Sequence, residues 1–281
     1  MAEIGAATMK STARKTACIT GATSGIGAAY ASSFARQGYD LILTGRIRET
    51  IESVANTLSR QNNIDVEVVI AELSDDRQLD LLIDKVRATE GLEVLVNNAG
   101  FTTESPFHEE DFTSHEMMLK VHNLAPAKLC HAVLPKMVSQ GKGAIINVSS
   151  LAAFLPLPGQ AMYSATKAFL KSFTESIHLE LLGTGVNVQV LCPGMTRTNF
   201  HQRIGYDSKA FYRDRGLLKA MTPEEVVNVS LRDLERNKVL CVPGRSRKIM
   251  RVLLKFLPQS VIYKIVSAPR QTKGQSKGLK N

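Results

Sequence analysis

The segment Thr16-Ala-Cys-Ile-Thr20-Gly21-Ala-Thr-Ser-Gly25-Ile-Gly27 decides the predicted fold. A short apolar and β-branched run, typical of a buried strand, leads into three glycines and then an Ala-rich helical pattern. A glycine-rich turn between strand and helix lets the backbone approach a pyrophosphate and points the helix N-terminus at its negative charge. An ordinary tight turn is the alternative. It is less favoured because this turn follows the first strand of an alternating chain.

The same alternation of short apolar runs and amphipathic stretches continues to about residue 240 and predicts βαβ units around a mostly parallel sheet. Strands are predicted near residues 16–20, 40–44, 64–71, 93–97, 143–149, 186–192 and 238–242. Helices are predicted near 25–37, 48–60, 75–87, 107–138 (as two helices), 160–182 and 223–236. We therefore predict a single Rossmann-type doubly wound α/β domain, with a seven-stranded sheet and helices on both faces.

Basic charge is concentrated at the C-terminus. The 281 residues have a formal net charge of +9, but residues 238–281 hold 11 Lys/Arg and no Asp/Glu, which leaves 24 basic against 26 acidic residues elsewhere. We predict a flexible N-terminal extension over residues 1–13, a central domain over 14–244 and a basic amphipathic tail over 245–281.

The tail has helical apolar spacing at Ile249, Val252, Leu253, Phe256 and Leu257, and basic residues on its other faces at Arg247, Lys248, Arg251 and Lys255. A second apolar group follows Pro258, at Val261, Ile262, Ile265 and Val266. Such a segment can make peripheral contact with an anionic membrane through residues 245–266. Packing on its own domain or on a partner subunit is favoured over this. No base-reading module accompanies the charge, so nucleic acid is not expected as a partner.

The cysteines and the apolar runs indicate the cellular setting. Cys18, Cys130, Cys192 and Cys241 are far apart, lack metal-ligand spacing and fall mostly in predicted strands, so we expect reduced core cysteines and no metal site. The first 15 residues lack the apolar stretch of a secretory signal, and no later run reaches the roughly 18 apolar residues of a membrane span. A cytoplasmic protein is expected.

Tyr163 and Lys167 stand four residues apart within a predicted helix, so their side chains leave the same face. A free tyrosine has a pKa near about 10, and a nearby ammonium group should favour the phenolate and lower that pKa towards neutrality. The pair is therefore a candidate for proton transfer, although an exposed Tyr and Lys on an amphipathic helix would give the same pattern.

Five later segments, in order, complete a resemblance to the short-chain dehydrogenase/reductase family that begins with Gly21-x-x-x-Gly25-x-Gly27. They are Asn97-Asn98-Ala99-Gly100, Asn123, Ser150, Tyr163-x-x-x-Lys167 and Pro193-Gly194-Met195-Thr196. Gly38-Tyr39-Asp40 and Thr222-Pro223-Glu224-Glu225-Val226 are similar to a bacterial branch close in pattern to hydroxysteroid and ketoacyl reductases. The resemblance implies hydride transfer between a nicotinamide and a carbonyl or alcohol carbon of a small molecule, in a homodimer or homotetramer.

The resemblance also implies a role for each catalytic candidate. Ser150 would hold the substrate oxygen, Tyr163 would transfer the proton, and Lys167 would hold the nicotinamide ribose. Asn123 would hold a water that links the lysine to solvent. Ser149 is the nearest competitor of Ser150, and the thirteen-residue spacing to Tyr163 favours Ser150.

The implied cofactor contacts extend along the carboxyl ends of the predicted strands. They are Gly21, Thr23, Ser24, Gly25, Ile26, Gly27, Arg46, Glu72, Leu73, Asn98, Ala99, Gly100, Tyr163, Lys167, Pro193, Gly194 and Thr196. Asn97 is expected to be mainly structural. Glu72 departs from the usual Asp by one methylene.

Arg46 determines the predicted choice between NADP(H) and NAD(H). A carboxylate at the end of the second strand would bind the ribose hydroxyls of NAD, but none occurs before Glu49, and a guanidinium suits a 2′-phosphate. We therefore predict NADP(H), although Arg46 could simply open a solvated helix. Ser24 stands where some NADP-binding members carry a further basic residue.

The predicted activity is NADP(H)-dependent interconversion of a carbonyl and a secondary alcohol, with Tyr163 as general acid/base. The alternative is a non-catalytic module that senses a dinucleotide and attaches to a membrane or protein through its basic tail. An insertion over residues 197–221, with Phe200, Tyr206, Phe211 and Tyr212, would cover the substrate site or form a plain connection. Steroids, ketoacyl thioesters, sugars and small ketones all suit such a core.

Overall fold

The computed structural model describes residues 14–198 and 219–267. The predicted N-terminal extension, residues 1–13, and the last residues of the tail, 268–281, lie outside the described residues. So do the four aromatic residues of the predicted insertion.

Seven strands form one parallel sheet in the described part of the chain. They are β1 (Thr16–Thr20), β2 (Asp40–Gly45), β3 (Val66–Ile70), β4 (Leu92–Asn97), β5 (Gly143–Val148), β6 (Val186–Leu191) and β7 (Leu240–Cys241). Their order across the sheet is β3-β2-β1-β4-β5-β6-β7, and each pairing is parallel. The order reverses between β1 and β4, and doubly wound sheets bind ligands at such a reversal, beyond the carboxyl ends of the strands. The predicted fold class is confirmed.

Helices cover both faces of the sheet. They are α1 (Gly25–Arg36), α2 (Arg48–Asn62), α3 (Asp76–Ala88), α4 (Phe112–Leu119), α5 (Ala125–Gln140), α6 (Ala161–Glu180), α7 (Pro223–Glu235), α8 (Arg245–Phe256) and α9 (Gln259–Ser267). The core on one face is formed with α1, α2 and α7, and the core on the other with α3, α5 and α6. Within β1, Ala17 and Ile19 enter the first core and Cys18 enters the second, because successive strand residues point to opposite faces.

The region predicted as helix over residues 107–138 differs from expectation at its start and in its middle. The helix begins only at Phe112, where Asp111 accepts a hydrogen bond from the Thr113 amide at 3.0 Å. The two expected helices, α4 and α5, are joined without a loop by a π-helical segment, Lys120–Leu124. Pro126 has no N–H for the usual bond to the carbonyl of residue 122, which is consistent with a widened turn here.

The two edge strands are shorter than predicted. β3 covers Val66–Ile70 instead of 64–71, and β7 covers only Leu240–Cys241 instead of 238–242. An edge strand has one neighbour, so its hydrogen-bonded length is limited to the residues that this neighbour can reach. All four cysteines are free and buried, as predicted.

The tail forms α8 and α9 over its described part. Arg247, which the sequence places on a polar face, is instead only 4% exposed. The favoured expectation was packing on the domain or on a partner subunit, and packing on the domain is wrong for the apolar side chains of Ile249, Leu253 and Phe256, which are 60%, 59% and 80% exposed. Packing on a partner subunit stays a prediction. Helical periodicity correctly predicts the helices, but it does not show which of their faces the domain covers. Among the described helices, none is both long and apolar enough to cross a bilayer.

Candidate active site

The glycine-rich turn between β1 and α1 has a backbone that requires glycine. Gly21 has φ +66° and Gly25 has φ +59°, in the left-handed region that residues with a Cβ rarely adopt. At Gly27 an added Cβ would lie 2.3 Å from the Gly21 carbonyl oxygen and 2.4 Å from Asn98 Nδ2. The first two glycines therefore shape the turn, and the third lets α1 pack closely against it.

The N-terminus of α1 has the properties of an anion site. Ser24 occupies the N-cap position, but its side chain makes no capping hydrogen bond, and the first turn holds no acidic residue. The first backbone N–H groups of a helix lack intrahelical acceptors and together carry about half a positive charge. A dinucleotide pyrophosphate fits these groups. Of the other predicted contacts here, Ile26 packs its side chain on the core and can offer only its backbone.

Asn98 and Thr20 connect the glycine-rich turn to the end of β4. Asn98 Nδ2 donates to the carbonyl oxygens of Thr20 (3.0 Å) and Gly21 (3.1 Å). The Thr20 hydroxyl in turn accepts from the backbone amides of Asn98 (2.9 Å) and Ala99 (3.0 Å). The two loops that flank the strand reversal are thus held as one unit, and Thr20 is a contributor that the sequence analysis missed.

A buried polar chain fixes α6 to the centre of the sheet. Asn97 Nδ2 donates to Asn147 Oδ1 at 2.8 Å, which joins β4 to β5. Asn147 Nδ2 donates to Thr174 Oγ1 at 2.9 Å, and this hydroxyl donates to the Leu170 carbonyl at 2.6 Å. The arrangement agrees with the mainly structural role expected for Asn97.

Tyr163 and Lys167 lie together on α6. Lys167 Nζ is 5.7 Å from the centre of the Tyr163 ring and donates to the Val148 carbonyl at 3.1 Å. The lysine side chain is buried, at 5% exposure. An ammonium group has three donors, so this one has capacity for further acceptors, such as the ribose hydroxyls of the implied nicotinamide cofactor.

Ser150, and not Ser149, contacts the tyrosine. The Ser150 side chain forms a hydrogen bond with Tyr163, and its Oγ accepts from the Ala152 amide at 3.1 Å. Ser149 points away, because its hydroxyl donates to the Lys167 carbonyl at 2.8 Å and holds α6 against β5. Of the two serines, Ser150 is therefore the one placed to share a substrate oxygen with Tyr163, and that role stays a prediction.

The expected lowering of the tyrosine pKa is not found in the protein alone. Burial raises the pKa of Tyr163 to about 12, and the hydrogen bond from Ser150 opposes the rise only in part. Burial also lowers the pKa of Lys167 to about 8. The lowering expected from the sequence applies to solvated groups, whereas burial favours the neutral form of each. At neutral pH the tyrosine is consequently a protonated phenol, the form that donates a proton.

Asn123 lies in the π-helical segment beside a second polar residue, His122. Asn123 Nδ2 donates to the Thr166 carbonyl at 2.9 Å. His122 Nε2 accepts from the Phe101 amide at 3.0 Å, and its Nδ1 lies 3.0 Å from Thr166 Oγ1. The Thr166 hydroxyl donates to the Tyr163 carbonyl at 2.9 Å. The π segment thus holds the second turn of α6, at Thr166, through two neighbouring side chains.

The contacts of His122 determine its protonation. Because the Phe101 amide can only donate, Nε2 must be the unprotonated nitrogen, and the proton lies on Nδ1, facing Thr166. Burial, and then the nearby Lys167, hold the pKa of His122 well below its usual value. The imidazole is therefore neutral and oriented. A polar residue within a helical pattern gave no sequence signal for this role.

Arg46 and Glu72, both predicted cofactor contacts, form an ion pair. Arg46 Nη1 lies 3.2 Å from Glu72 Oε2, and the arginine side chain is 58% exposed. Glu72 Oε1 also accepts from the amide and hydroxyl of Ser74. Arg46 is accessible to a ligand phosphate, and the carboxylate holds it at the carboxyl end of β2. The Leu73 side chain is buried in the core, so only its backbone is available to a ligand.

The loop after β6 is braced by α8. Thr196 Oγ1 donates to the Gly194 carbonyl at 3.0 Å, and an added Cβ at Gly194 would meet Arg247 Nε at 2.4 Å. Arg247 donates to the carbonyl oxygens of Met195 (3.5 Å) and Lys219 (2.5 Å). The described tail is therefore connected directly to the loop that carries Pro193, Gly194 and Thr196.

The sequence matches the family model described as short chain dehydrogenase over residues 15–209. It is 38% identical over 216 residues to sulfoacetaldehyde reductase 2 of Chromohalobacter salexigens, a match covering 74% of this chain and 85% of that protein. The structure is similar to that of a short-chain dehydrogenase from Sphingobium yanoikuyae in complex with NADPH. The TM-score is 0.78 at 31% identity, and the match covers 92% of this chain and 98% of the other.

A second similar structure is that of L-sorbose reductase from Gluconobacter frateurii complexed with NADPH and L-sorbose. The TM-score is 0.73 at 25% identity, and the match covers 83% of this chain and 96% of the other. The family match spans more than half of the chain and includes the glycine-rich turn, Ser150, Tyr163 and Lys167. The chain belongs to the short-chain dehydrogenase/reductase family, whose members are oxidoreductases.

Proposed function

We propose that this protein is an NADP(H)-dependent reductase that interconverts a carbonyl and a secondary alcohol, with Tyr163 as general acid/base. The observation that carries the proposal is the grouping of Ser150, Tyr163 and Lys167. The Ser150 hydroxyl is hydrogen-bonded to the Tyr163 phenol, and the buried Lys167 ammonium lies one turn further along α6 from Tyr163. Two hydroxyls that converge on one point can hold and protonate a carbonyl oxygen.

In the reduction direction, bound NADPH would supply a hydride to the carbonyl carbon. The Ser150 hydroxyl then donates to the developing oxyanion, and neutral Tyr163 transfers its proton to that oxygen. Lys167, whose pKa lies at about 8, can lose a proton near neutral pH and so help to restore the phenol. Asn123 would hold the water that links Lys167 to solvent.

NADP(H) is proposed over NAD(H) because Arg46 places an accessible guanidinium at the end of β2. A guanidinium pairs with a phosphate by charge and by two parallel hydrogen bonds. Glu72 is the one carboxylate described beside Arg46, and it is already engaged by Arg46 and Ser74. The NADPH complexes of the two similar structures are consistent with this choice.

The non-catalytic alternative gains no support from the comparisons, in which the matched proteins are named as a dehydrogenase and two reductases. A module that only senses a dinucleotide would also have no need for the Ser150–Tyr163 hydrogen bond. Turnover is the property that separates the two hypotheses.

The proposal is tested by replacing Tyr163 with Phe, which removes only the hydroxyl. A panel of ketones, aldehydes and acyl thioesters is first screened for NADPH consumption by the wild type. For a responsive substrate, Tyr163→Phe should lower kcat by about 10²-fold to 10⁴-fold, the usual contribution of a general acid. NADPH binding, followed by fluorescence titration, should persist.

Tyr39→Phe is the matched control, because Tyr39 packs against Phe34 on the opposite face of the sheet from α6. Its kcat should equal that of the wild type. Undiminished turnover by Tyr163→Phe with NADPH still bound would contradict the mechanism. A wild type that binds NADPH but reduces nothing in the panel would favour the sensing module.

A further inference from the structure

The helix α8 carries an apolar face that the domain leaves uncovered. Ile249, Leu253 and Phe256 follow one another at intervals of four and three residues, so they share one side of the helix. Their exposed fractions are 60%, 59% and 80%, and Val252 beside them is 43% exposed. Soluble surfaces do carry single apolar residues, but four adjoining ones on one helix face indicate a contact surface.

The opposite side of α8 is attached to the domain. Arg247 donates to backbone carbonyls of the loop after β6, and Lys248 pairs with Asp233 of α7 at 3.6 Å. Met250 and Leu254 lie on this inner side and are half-buried. These contacts on the inner face of α8 fix the orientation of the helix, so Leu253 and its apolar neighbours point outward.

The second helix, α9, extends the same kind of surface. Val261 and Ile265 are 37% and 59% exposed and lie one turn apart. Exposed basic residues accompany both helices, with Arg245 at the start of α8 and Lys264 in α9. Residues 238–281 contain 11 Lys/Arg and no Asp/Glu. The surface therefore combines apolar side chains with positive charge that no carboxylate of the tail offsets.

A second copy of the chain is a poor occupant of this surface. In a twofold contact α8 would meet its own equivalent, and like charges would face each other. The chain also offers a better face for such a contact, since every exposed residue of α6 before Glu180 is uncharged. An anionic lipid surface instead matches both properties, because it accepts apolar side chains below its headgroups and attracts Lys and Arg.

We propose that α8 and α9 dock the protein on an anionic lipid surface. The apolar residues Ile249, Leu253 and Phe256 enter the boundary between headgroups and acyl chains, while Arg245 and Lys264 contact the phosphates. Arg247 takes no part in lipid contact, because its guanidinium is occupied by the loop after β6. That connection places the loop carrying Thr196 close to the docked helix.

The experiment measures co-sedimentation of the full-length protein with vesicles of phosphatidylcholine alone and of equimolar phosphatidylcholine and phosphatidylglycerol. The wild type should partition onto the anionic vesicles, less so as salt is raised. Leu253→Glu should reduce this partition by at least about tenfold, because it puts a charge on the face that would enter the lipid. Arg245→Ala should reduce it about fivefold, the share of one basic residue near the surface.

Leu81→Glu is the matched control, because Leu81 on α3 is 61% exposed, against 59% for Leu253, and the change in charge is the same. It should bind vesicles like the wild type. Thermal unfolding of both variants checks that each is folded, and the salt dependence of the wild type tests the proposal without any variant.

Several outcomes would overturn the proposal. They are no partition of the wild type onto anionic vesicles, equal partition onto phosphatidylcholine alone, or unchanged partition of Leu253→Glu. A smaller oligomer for Leu253→Glu without vesicle binding by the wild type would assign the face to a second copy. Reductase activity in solution does not enter the test, so failure of the docking surface leaves the proposed reaction unaffected.

Discussion

At the scale of single residues, Arg46, the proposed contact of the 2′-phosphate, is paired with a carboxylate beside it. Its ion pair with Glu72 spans the ends of two neighbouring strands at 3.2 Å, yet more than half of its side chain stays exposed. In solvent such a pair adds little stability. The pair instead orients the Arg46 side chain, since it keeps the guanidinium at the carboxyl end of β2, where the adenosine ribose would lie.

Arg46→Ala should raise the KM for NADPH by roughly 10-fold to 100-fold, because a hydrogen bond between charged groups contributes about 1.5–3 kcal/mol. The KM for NADH should change little, since NADH lacks the 2′-phosphate. Steady-state kinetics with NADPH and with NADH measure the two KM values in the wild type and the variant. Arg48→Ala is the control, because Arg48 pairs with Glu52 within α2. Equal wild-type rates with NADH and NADPH would contradict the proposed cofactor preference.

Lys167 is a buried base whose charge opposes folding. Burial lowers its pKa from 10.5 to about 8. Below about pH 8 the lysine is charged in both folded and unfolded states, and folding carries the full penalty of burying that charge. Between about pH 8 and 10.5 the folded protein releases the proton while the unfolded chain retains it, so the penalty falls as pH rises.

Lys167→Met should therefore gain stability relative to the wild type at neutral pH, and this gain should shrink by about 3 kcal/mol as pH rises to 10.5. Urea unfolding of both proteins across that pH range gives the difference between their free energies of unfolding, in which the titration of other groups cancels. A difference that does not vary with pH would show that the lysine is solvated. Loss of turnover in the variant would accompany the gain, as expected for a site that function keeps destabilised.

At the scale of elements, the π-helical segment Lys120–Leu124 positions the start of α6. Its widened turn places His122 and Asn123 next to each other on Thr166, one through the hydroxyl and the other through the carbonyl. π-Helical segments frequently occur at functional sites, where a regular helix would direct the side chains differently. Phe101, in the loop after β4, also donates to His122, so the π-helical segment, α6 and this loop meet at the same contact.

His122→Phe should lower kcat about tenfold while the KM for NADPH changes less, because the phenyl ring fills the space but leaves the Phe101 amide without its acceptor and the Thr166 hydroxyl without the donor at Nδ1. His122→Gln, which can both accept and donate, should restore part of the loss. That rescue separates a role in positioning Tyr163 from a purely structural one.

His115→Phe is the matched control for this prediction. His115 is also buried, but it belongs to α4 and stacks on Phe107, away from Thr166. Its kcat should stay close to the wild-type value. Equal effects of the two substitutions, with no rescue by His122→Gln, would reduce His122 to a packing residue.

At the scale of the whole molecule, α6 offers a face suited to a second subunit. Its exposed residues before Glu180 are Ala161, Ala165, Ala168, Phe169, Ser172, Ser176 and Leu179. Phe169 and Leu179 are 48% and 66% exposed. Small and apolar residues without charge favour close contact between helices, in agreement with the homodimer or homotetramer expected from the family resemblance.

Phe169→Glu should convert the oligomer to a smaller species, because it places a charge in the middle of this face. Light scattering after size-exclusion chromatography measures the mass. Leu81→Glu on α3 should leave the mass unchanged. A wild type that is already monomeric would refute the predicted assembly.

The sequence alone determined the fold and indicated Ser150, Tyr163 and Lys167 as candidates for the site. Periodicity and glycine spacing are local properties, because each strand and helix carries its own apolar pattern and the turn at Gly21 needs glycine wherever it occurs. For the same reason the pairing of Tyr163 with Lys167 was predictable, since one helical turn brings them together. The lengths of the edge strands β3 and β7 were less predictable, because each depends on the single strand that lies beside it.

The tertiary structure decided everything that depends on burial or on contact between distant residues. The raised pKa of Tyr163 follows from its burial, and the preference for Ser150 over Ser149 follows from which of the two hydroxyls reaches the Tyr163 side chain. His122 emerged only because the loop after β4 and α6 meet at its ring. In α8, periodicity predicted an amphipathic helix, but anchoring by Arg247 determined that its apolar side faces outward. Desolvation and contact arise only when the chain is packed, so no local pattern contains them.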